Sequence, residues 1–236
     1  MDFSNKHVLV TGGTGALGAA VVAGLLRGGA HCIVPYRAEL EAQRFAHRAH
    51  ANVTMIAVGD LADEAQVARA FGSLPATMPL WASIHVAGGF APGTVAETDK
   101  VALITQLNGN LVSCFLCCRA AVAAMRAAKQ GGRIVNVASR QGLEWRSGAG
   151  MAAYTIAKSG VATLTTVLAE EVVRDGILVN AVAPSILDTS ANRAAVPRAD
   201  FTAWPKVDEV AATILFLASP ANQVTRGAIV PAYGRV

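Results

Sequence analysis

Short runs of β-branched and apolar residues alternate with longer Ala/Leu-rich runs along the whole chain. The short runs span residues 8–11, 32–35, 54–58, 82–87, 133–138, 178–183 and 228–231, and they predict strands. The longer runs span 16–28, 39–50, 63–73, 101–128, 151–174 and 208–217, and they predict helices. Strands that are apolar throughout need cover on both faces, which a parallel sheet between two helix layers provides. Right-handed crossovers then give a doubly wound α/β fold, a single Rossmann domain over residues 1–236 with a seven-stranded parallel sheet. Ligands of such a sheet bind at the carboxyl ends of its strands. One stretch, 185–206, holds Pro197 and Pro205 and lacks a helical period. A long loop in a compact domain is usually functional, so it reads as a substrate lid.

Apolar residues make up 53% of the chain and charged residues 15%, enough for a large core and for some apolar surface covered by a partner subunit. The net charge of +4 comes from scattered basic residues, with no stripe suited to nucleic acid. Residues 1–6 lead straight into the first strand, so a cytoplasmic enzyme is expected. Residues 101–118 lack charge but include Gln106, Asn108 and Asn110, which argues against a membrane span.

Cys114, Cys117 and Cys118 fall on one apolar helical stretch, and Cys32 lies apart. Metal ligation would want a second ligand pair nearby, and the sequence offers none. Buried thiols in a reducing compartment, with no metal, are expected. His47 and His50, at i, i+3 on a predicted surface helix, read as a solvated face.

Two motifs carry chemistry. The first is His7-Val-Leu-Val-Thr11-Gly12-Gly13-Thr14-Gly15-Ala16-Leu17-Gly18, an apolar strand that breaks at glycines and restarts as a helix. Gly12 allows the turn, Gly15 lets backbone N–H groups approach a pyrophosphate, and Gly18 permits close packing of helix on strand. The helix N-terminus then faces the phosphates. The second is Tyr154-Thr-Ile-Ala-Lys158, which sets a phenol and an ammonium one helical turn apart. A fixed cation beside the phenol would lower its pKa toward the range of an acid/base catalyst.

These residues, with Asp60, Ala87-Gly88, Asn110, Ser139 and residues 184–189, resemble the short-chain dehydrogenase/reductase family over essentially the whole chain. The resemblance implies that Gly12, Thr14, Gly15, Ala16 and Leu17 hold a dinucleotide and that Asp60 and Leu61 border its adenine. It implies that Ala87, Gly88, Pro184, Leu187 and Thr189 wrap the nicotinamide end. Tyr154 would be the proton donor, Ser139 would hydrogen-bond the substrate oxygen, and Lys158 would bind the ribose and lower the phenol pKa. Asn110 would hold a water linking Lys158 to solvent.

A narrower segment, from Leu187-Asp-Thr through Asn192-Arg193 and Pro197 to Trp204, is similar to dihydropteridine reductase. It nominates Asn192, Arg193 and Trp204 to face a flat, polar substrate, and the similar stretch Val86-Ala-Gly-Gly89 adds Gly89. Departures are visible as well. His85-Val86 stands where the family usually carries Asn-Asn, and Ser185 where it carries Gly. Ser139 is present although dihydropteridine reductases lack it, which favours carbonyl chemistry. The glycine spacing resembles the sugar-nucleotide branch, yet too little chain follows Pro184 for that branch's substrate domain.

The expected function is hydride transfer between NADP(H) and a carbonyl or quinonoid C=N group. NADP(H) is expected over NAD(H) because the second strand ends in Tyr36-Arg37, with no carboxylate before Glu39. Rival readings are an NADH-using dihydropteridine reductase, a dinucleotide sensor without turnover and a sugar-nucleotide epimerase. The expected partners are a small-molecule substrate and further copies of the chain, as a homodimer or homotetramer.

Overall fold

The strands are β1 (His7–Thr11), β2 (His31–Tyr36), β3 (Val53–Ala57), β4 (Leu80–His85), β5 (Gly132–Val137), β6 (Ile177–Pro184) and β7 (Ile229–Ala232) in a computed structural model that describes residues 1–74 and 79–236. They form one sheet in the order β3-β2-β1-β4-β5-β6-β7, and every neighbouring pair is parallel. The helices are α1 (Ala16–Arg27), α2 (Glu39–Arg44), α3 (Glu64–Gly72), α4 (Lys100–Leu107), α5 (Ser113–Ala128), α6 (Arg140–Leu143), α7 (Ala152–Glu171), α8 (Ser190–Ala195) and α9 (Val207–Ala218).

Side chains alternate between the faces of a strand, so a strand covered on both sides must be apolar at every position. Val8 and Val10 pack with Val21, Leu25, Ile214 and Leu217 of α1 and α9. Leu9, one residue from each, packs on the opposite face with Cys117, Met125, Ile134 and Val161. Two cores thus sandwich the sheet. The chain winds outward from β1 toward β3, then returns to β4 on the other side. That reversal opens a crevice at the carboxyl ends of β1 and β4.

Three expectations need correction. The second helix stops at Arg44 and does not reach residue 50. Phe45 turns extended (φ −71°, ψ 115°) and is 95% buried in the core against the α1 layer, so hydrophobic burial overrides a weak helical continuation. His47 and His50 therefore lie in turns, with the His50 N–H donating to the His47 carbonyl.

The run 101–128 is not one regular helix. A π turn, Asn108–Val112, separates α4 from α5. The combined Lys100–Ala128 helix is long and apolar enough to cross a membrane by length and composition. Here it is a core helix, with Cys114, Leu116, Cys117, Cys118, Ala121 and Met125 buried toward the sheet.

The segment 185–206 is not irregular. It contains α8, capped where the Thr189 hydroxyl accepts the Asn192 N–H at 3.1 Å, and a single helical turn at Phe201–Ala203. Its two ends meet where the Asp188 N–H donates to the Pro205 carbonyl at 2.9 Å.

Candidate active site

The crevice is a cleft of about 900 Å³. Its walls include the predicted Gly12, Thr14, Gly15, Ala16, Leu17, Arg37, Asp60, Leu61, Ala87, Gly88, Gly89, Asn110, Tyr154, Lys158, Pro184 and Leu187.

The floor begins where β1 hands over to α1. Gly12 has φ +64°, a conformation that costs other residues, and a Cβ there would sit 2.7 Å from the Ala87 nitrogen. The turn is thus pressed against the β4 loop, which Thr11 fastens by accepting the Ala87 N–H on its Oγ1 at 3.2 Å. A Cβ on Gly15 would meet nothing closer than 3.4 Å, so internal packing does not demand glycine at that position. Its open side faces the cleft, at the N-terminus of a 12-residue helix whose free N–H groups suit an anion. A turn this thin, with backbone bared to the cleft, fits a dinucleotide pyrophosphate.

The other end of the cleft gathers polar side chains from just after β5, from the π turn between α4 and α5, and from α7. Ser139, at the end of β5, is 98% buried and caps α6 by accepting the Gly142 N–H at 3.2 Å. Its hydroxyl lies near enough to the Tyr154 phenol to favour the ionised form of that phenol. Lys158, one turn along α7, is buried, with Nζ 5.9 Å from the Tyr154 ring centroid. That ammonium donates to the Val137 carbonyl at 2.8 Å. The π turn aims Asn110 inward, where its amide donates to the Gly89 and Gln106 carbonyls and its Oδ1 accepts the Gly89 N–H. Both amide protons are used, so Asn110 pins the β4 loop. π turns inside helices often occur at such sites.

The sequence matches the short chain dehydrogenase family over residues 6–200. The chain belongs to this family. It is 35% identical to galactitol 2-dehydrogenase of Rhizobium johnstonii, with 95% of this chain and 92% of that one aligned. The crystal structure of gox2181 superposes with a TM-score of 0.91 at 27% identity, covering 99% of this chain and 96% of that one. ElxO with NADP bound superposes with a TM-score of 0.87 at 26% identity, covering 97% of each chain. As a short-chain dehydrogenase/reductase, the chain is an oxidoreductase that uses a nicotinamide dinucleotide.

Within this family member some predicted residues stand elsewhere. Arg193 does not line the cleft. It forks onto Asp188 at 2.6 and 2.8 Å and lies over the Phe201 ring. Trp204 is 94% buried and packs edge-on against Phe201. A carboxylate within reach captured the guanidinium, and hydrophobic burial captured the indole. Thr189 spends its hydroxyl on the α8 cap.

Conversely, Phe90, Gln141, Met151 and Ile186 line the cleft, although no motif in the sequence points to them. Phe90 packs edge-to-face on Tyr154 at 5.2 Å although it is 60% exposed. An aromatic placed just after Gly88-Gly89 was the signal available in sequence. Glu41, on α2, also lines the wall that carries Arg37.

The electrostatics differ from the expectation. Burial raises the Tyr154 pKa, and the Ser139 hydrogen bond opposes it only in part. The cost of burial falls on Lys158 too, whose ammonium is pulled down to about 8. Burial outweighs charge pairing because Lys158 directs its proton to a carbonyl and not to the phenol.

This pair makes stability depend on pH. Below pH 8 native and unfolded states both bind the Lys158 proton, and the native state bears the full cost. Between about 8 and 10.5 the unfolded chain binds more proton, so stability rises with pH. Tyr154 acts with the opposite sign, and only above pH 10, since its native pKa is raised. Lys158→Met removes the lysine slope. Stability relative to that variant is expected to rise with pH, by up to about 3 kcal/mol over the full window. Urea unfolding of both proteins at pH 7 and 9.5 checks this; equal slopes would show that Lys158 is solvated.

Proposed function

We propose that the chain reduces a carbonyl, and oxidises the corresponding alcohol, with NADP(H) as its dinucleotide. The observation that carries this reading is that Tyr154 and Lys158, with Ser139 beside the phenol, stand at one end of a cleft whose other end is the glycine turn. A bound nicotinamide supplies or accepts the hydride. The Ser139 hydroxyl and the Tyr154 phenol together address one substrate oxygen. As negative charge grows on that oxygen, Tyr154 gives up its proton and Ser139 holds a second hydrogen bond. The raised phenol pKa keeps that proton in place at neutral pH. Lys158 sits close enough to stabilise the phenolate that remains. Phe90, Met151, Ile186 and Leu187 offer the substrate an apolar wall, with Gln141 and Asn192 as polar contacts. Thus the lid, 185–206, contributes Ile186, Leu187 and Asn192 to substrate choice, while Arg193 and Trp204 shape it from behind. Without those two side chains in the cleft, a quinonoid dihydropterin is the weaker substrate reading.

Preference for NADP(H) rests on Arg37. It is exposed, lines the cleft just beyond β2, and has no ion pair among the described residues. Nearby Glu39 is occupied by Tyr36 at 3.0 Å and Arg48 at 3.4 Å. Glu41 shares the wall and works against a 2′-phosphate, so the preference is modest. Arg37→Ala is expected to lower kcat/KM for NADPH about tenfold and leave that for NADH within twofold, as for a charge-assisted contact worth about 1.5 kcal/mol. An unchanged NADPH/NADH ratio would remove the assignment.

The chain also reads as a homo-oligomer. Val101, Ile104, Phe115, Ile156 and Val167 on α4, α5 and α7 are all exposed, more apolar surface than one helix layer ordinarily leaves to water. Light scattering at micromolar concentration is expected to report a dimer or tetramer of the 24.3 kDa chain; a monomer alone would end this reading.

A further inference from the structure

Beneath the active site, on the α5 side of the sheet, four side chains point at one another. His85 ends β4 and is the register partner of Asn136 on β5, so the two stand side by side on the same face. Cys114 and Cys118 lie one helical turn apart on α5, above them. The three possible ligand atoms of His85, Cys114 and Cys118 lie within 4.8 Å of one another. Asn136 Oδ1 is at the hub, 2.8 Å from His85 Nδ1, 3.3 Å from the Cys114 sulfur and 3.5 Å from the Cys118 sulfur. The Cys118 sulfur is also 3.5 Å from His85 Nδ1. All four residues are at least 95% buried. No second ligand lies near these cysteines in the sequence; sheet register supplies it.

Hydrogen bonding alone uses this cluster poorly. An amide oxygen has two lone pairs, yet three donors converge on this one. What the four groups can offer together, once the imidazole proton moves to Nε2 and the thiols ionise, is lone pairs on two sulfurs, one imidazole nitrogen and one amide oxygen. The surroundings can support that arrangement. Asn136 Nδ2 donates to Thr165 Oγ1 at 2.9 Å, which turns Oδ1 toward the sulfurs. His85 Nε2 is held at 2.8 Å by Ser83 Oγ, the type of outer partner that orients a ligating imidazole. The observed nitrogen-to-sulfur spacing matches the roughly 3.5 Å expected between two ligands of one tetrahedral zinc, and Asn136 Oδ1, now 2.8 Å from Nδ1 in a hydrogen bond, would have to back away by about half an ångström to admit the ion.

We propose that Cys114, Cys118, His85 and Asn136 form a binding site for a borderline-soft divalent cation of the zinc type. Binding releases two protons, one from each thiol. The imidazole keeps its proton but carries it on Nε2, where it donates to Ser83, and Nδ1 is left free for the metal. Two thiolates, a neutral imidazole and a neutral amide then balance a charge of +2, so the buried centre is uncharged overall. Four-coordination closes the site to substrate, and its role is to tie α5 to β4 and β5 under the catalytic floor.

Cobalt(II) is the probe. The full chain is refolded anaerobically with one equivalent of Co²⁺ and freed of excess metal by gel filtration. One cobalt per chain is expected, with a thiolate-to-cobalt charge-transfer band and the visible bands of four-coordinate cobalt. The double variant Cys114→Ser, Cys118→Ser should lose both bands, and Cys32→Ser, Cys117→Ser should retain them. Zinc should displace the cobalt with loss of colour, and should release protons when added to the refolded metal-free wild type at pH 6. This last measurement needs no variant to fold. Absence of the charge-transfer band in the wild type, its persistence in the Cys114/Cys118 variant, or zinc uptake without proton release would overturn the site.

Discussion

Tyr154→Phe is expected to lower kcat/KM for ketone reduction by about 10²- to 10⁴-fold, the range of a lost general acid. The same change should leave dinucleotide affinity within about twofold. The ring survives, and with it the edge-to-face contact to Phe90 at 5.2 Å, so the fold should not suffer. The missing atom is the proton donor itself. Ser139→Ala should cost about 10²-fold in turnover if its hydroxyl supports the developing oxyanion. Because Ser139 also caps α6, that variant should lose about 1 kcal/mol of stability as well, whereas Tyr154→Phe should not. Steady-state kinetics with NADPH and a panel of ketones, paired with urea unfolding, resolves the two roles. Ketone turnover at the wild-type rate in Tyr154→Phe would transfer proton donation to another group.

Gly18→Ala should damage the molecule in two ways at once. A Cβ at this position would lie 2.1 Å from the Gly12 carbonyl oxygen and 2.7 Å from the Gly13 Cα, both backbone atoms that cannot swing aside. Either α1 moves off the sheet or the turn deforms, at a cost of about 3 kcal/mol or more in stability. Dinucleotide affinity should fall at least tenfold with it, because the turn and the helix end are the binding surface. Gly15→Ala is the contrast. Its Cβ would have ordinary clearance inside the protein but would project from a residue that lines the cleft. That variant should keep its stability within about 1 kcal/mol and still bind dinucleotide weakly. Isothermal titration with NADPH, alongside thermal unfolding, separates the cases. Equal stability of Gly18→Ala and wild type would mean that the helix N-terminus is softer than its packing indicates.

What the chain alone specified was whatever depends on neighbours in sequence. Val8, Leu9 and Val10 are apolar in succession because each strand face meets its own helix layer, and that signature needs no tertiary knowledge. The glycine turn was legible for the same reason, since a strand, a break and a helix lie consecutively. Tyr154 and Lys158 share a face by helical geometry, and Ser139 ends the strand before them.

Tertiary structure decided the rest, wherever the deciding partner is remote in sequence or lies on a different element. Phe45 left its helix for a core built from β1 and α9. Within the lid the partners are near in sequence, Asp188 for Arg193 and Phe201 for Trp204, and how the lid folds set which side chains met. The phenol pKa followed burial and not the adjacent lysine, because Lys158 had found the Val137 carbonyl on another element. His85, Asn136, Cys114 and Cys118 meet only through the register of β4 with β5 and the seat of α5 upon them. Periodicity records which face of an element is buried, whereas the residue waiting on the other side is set by how elements pack.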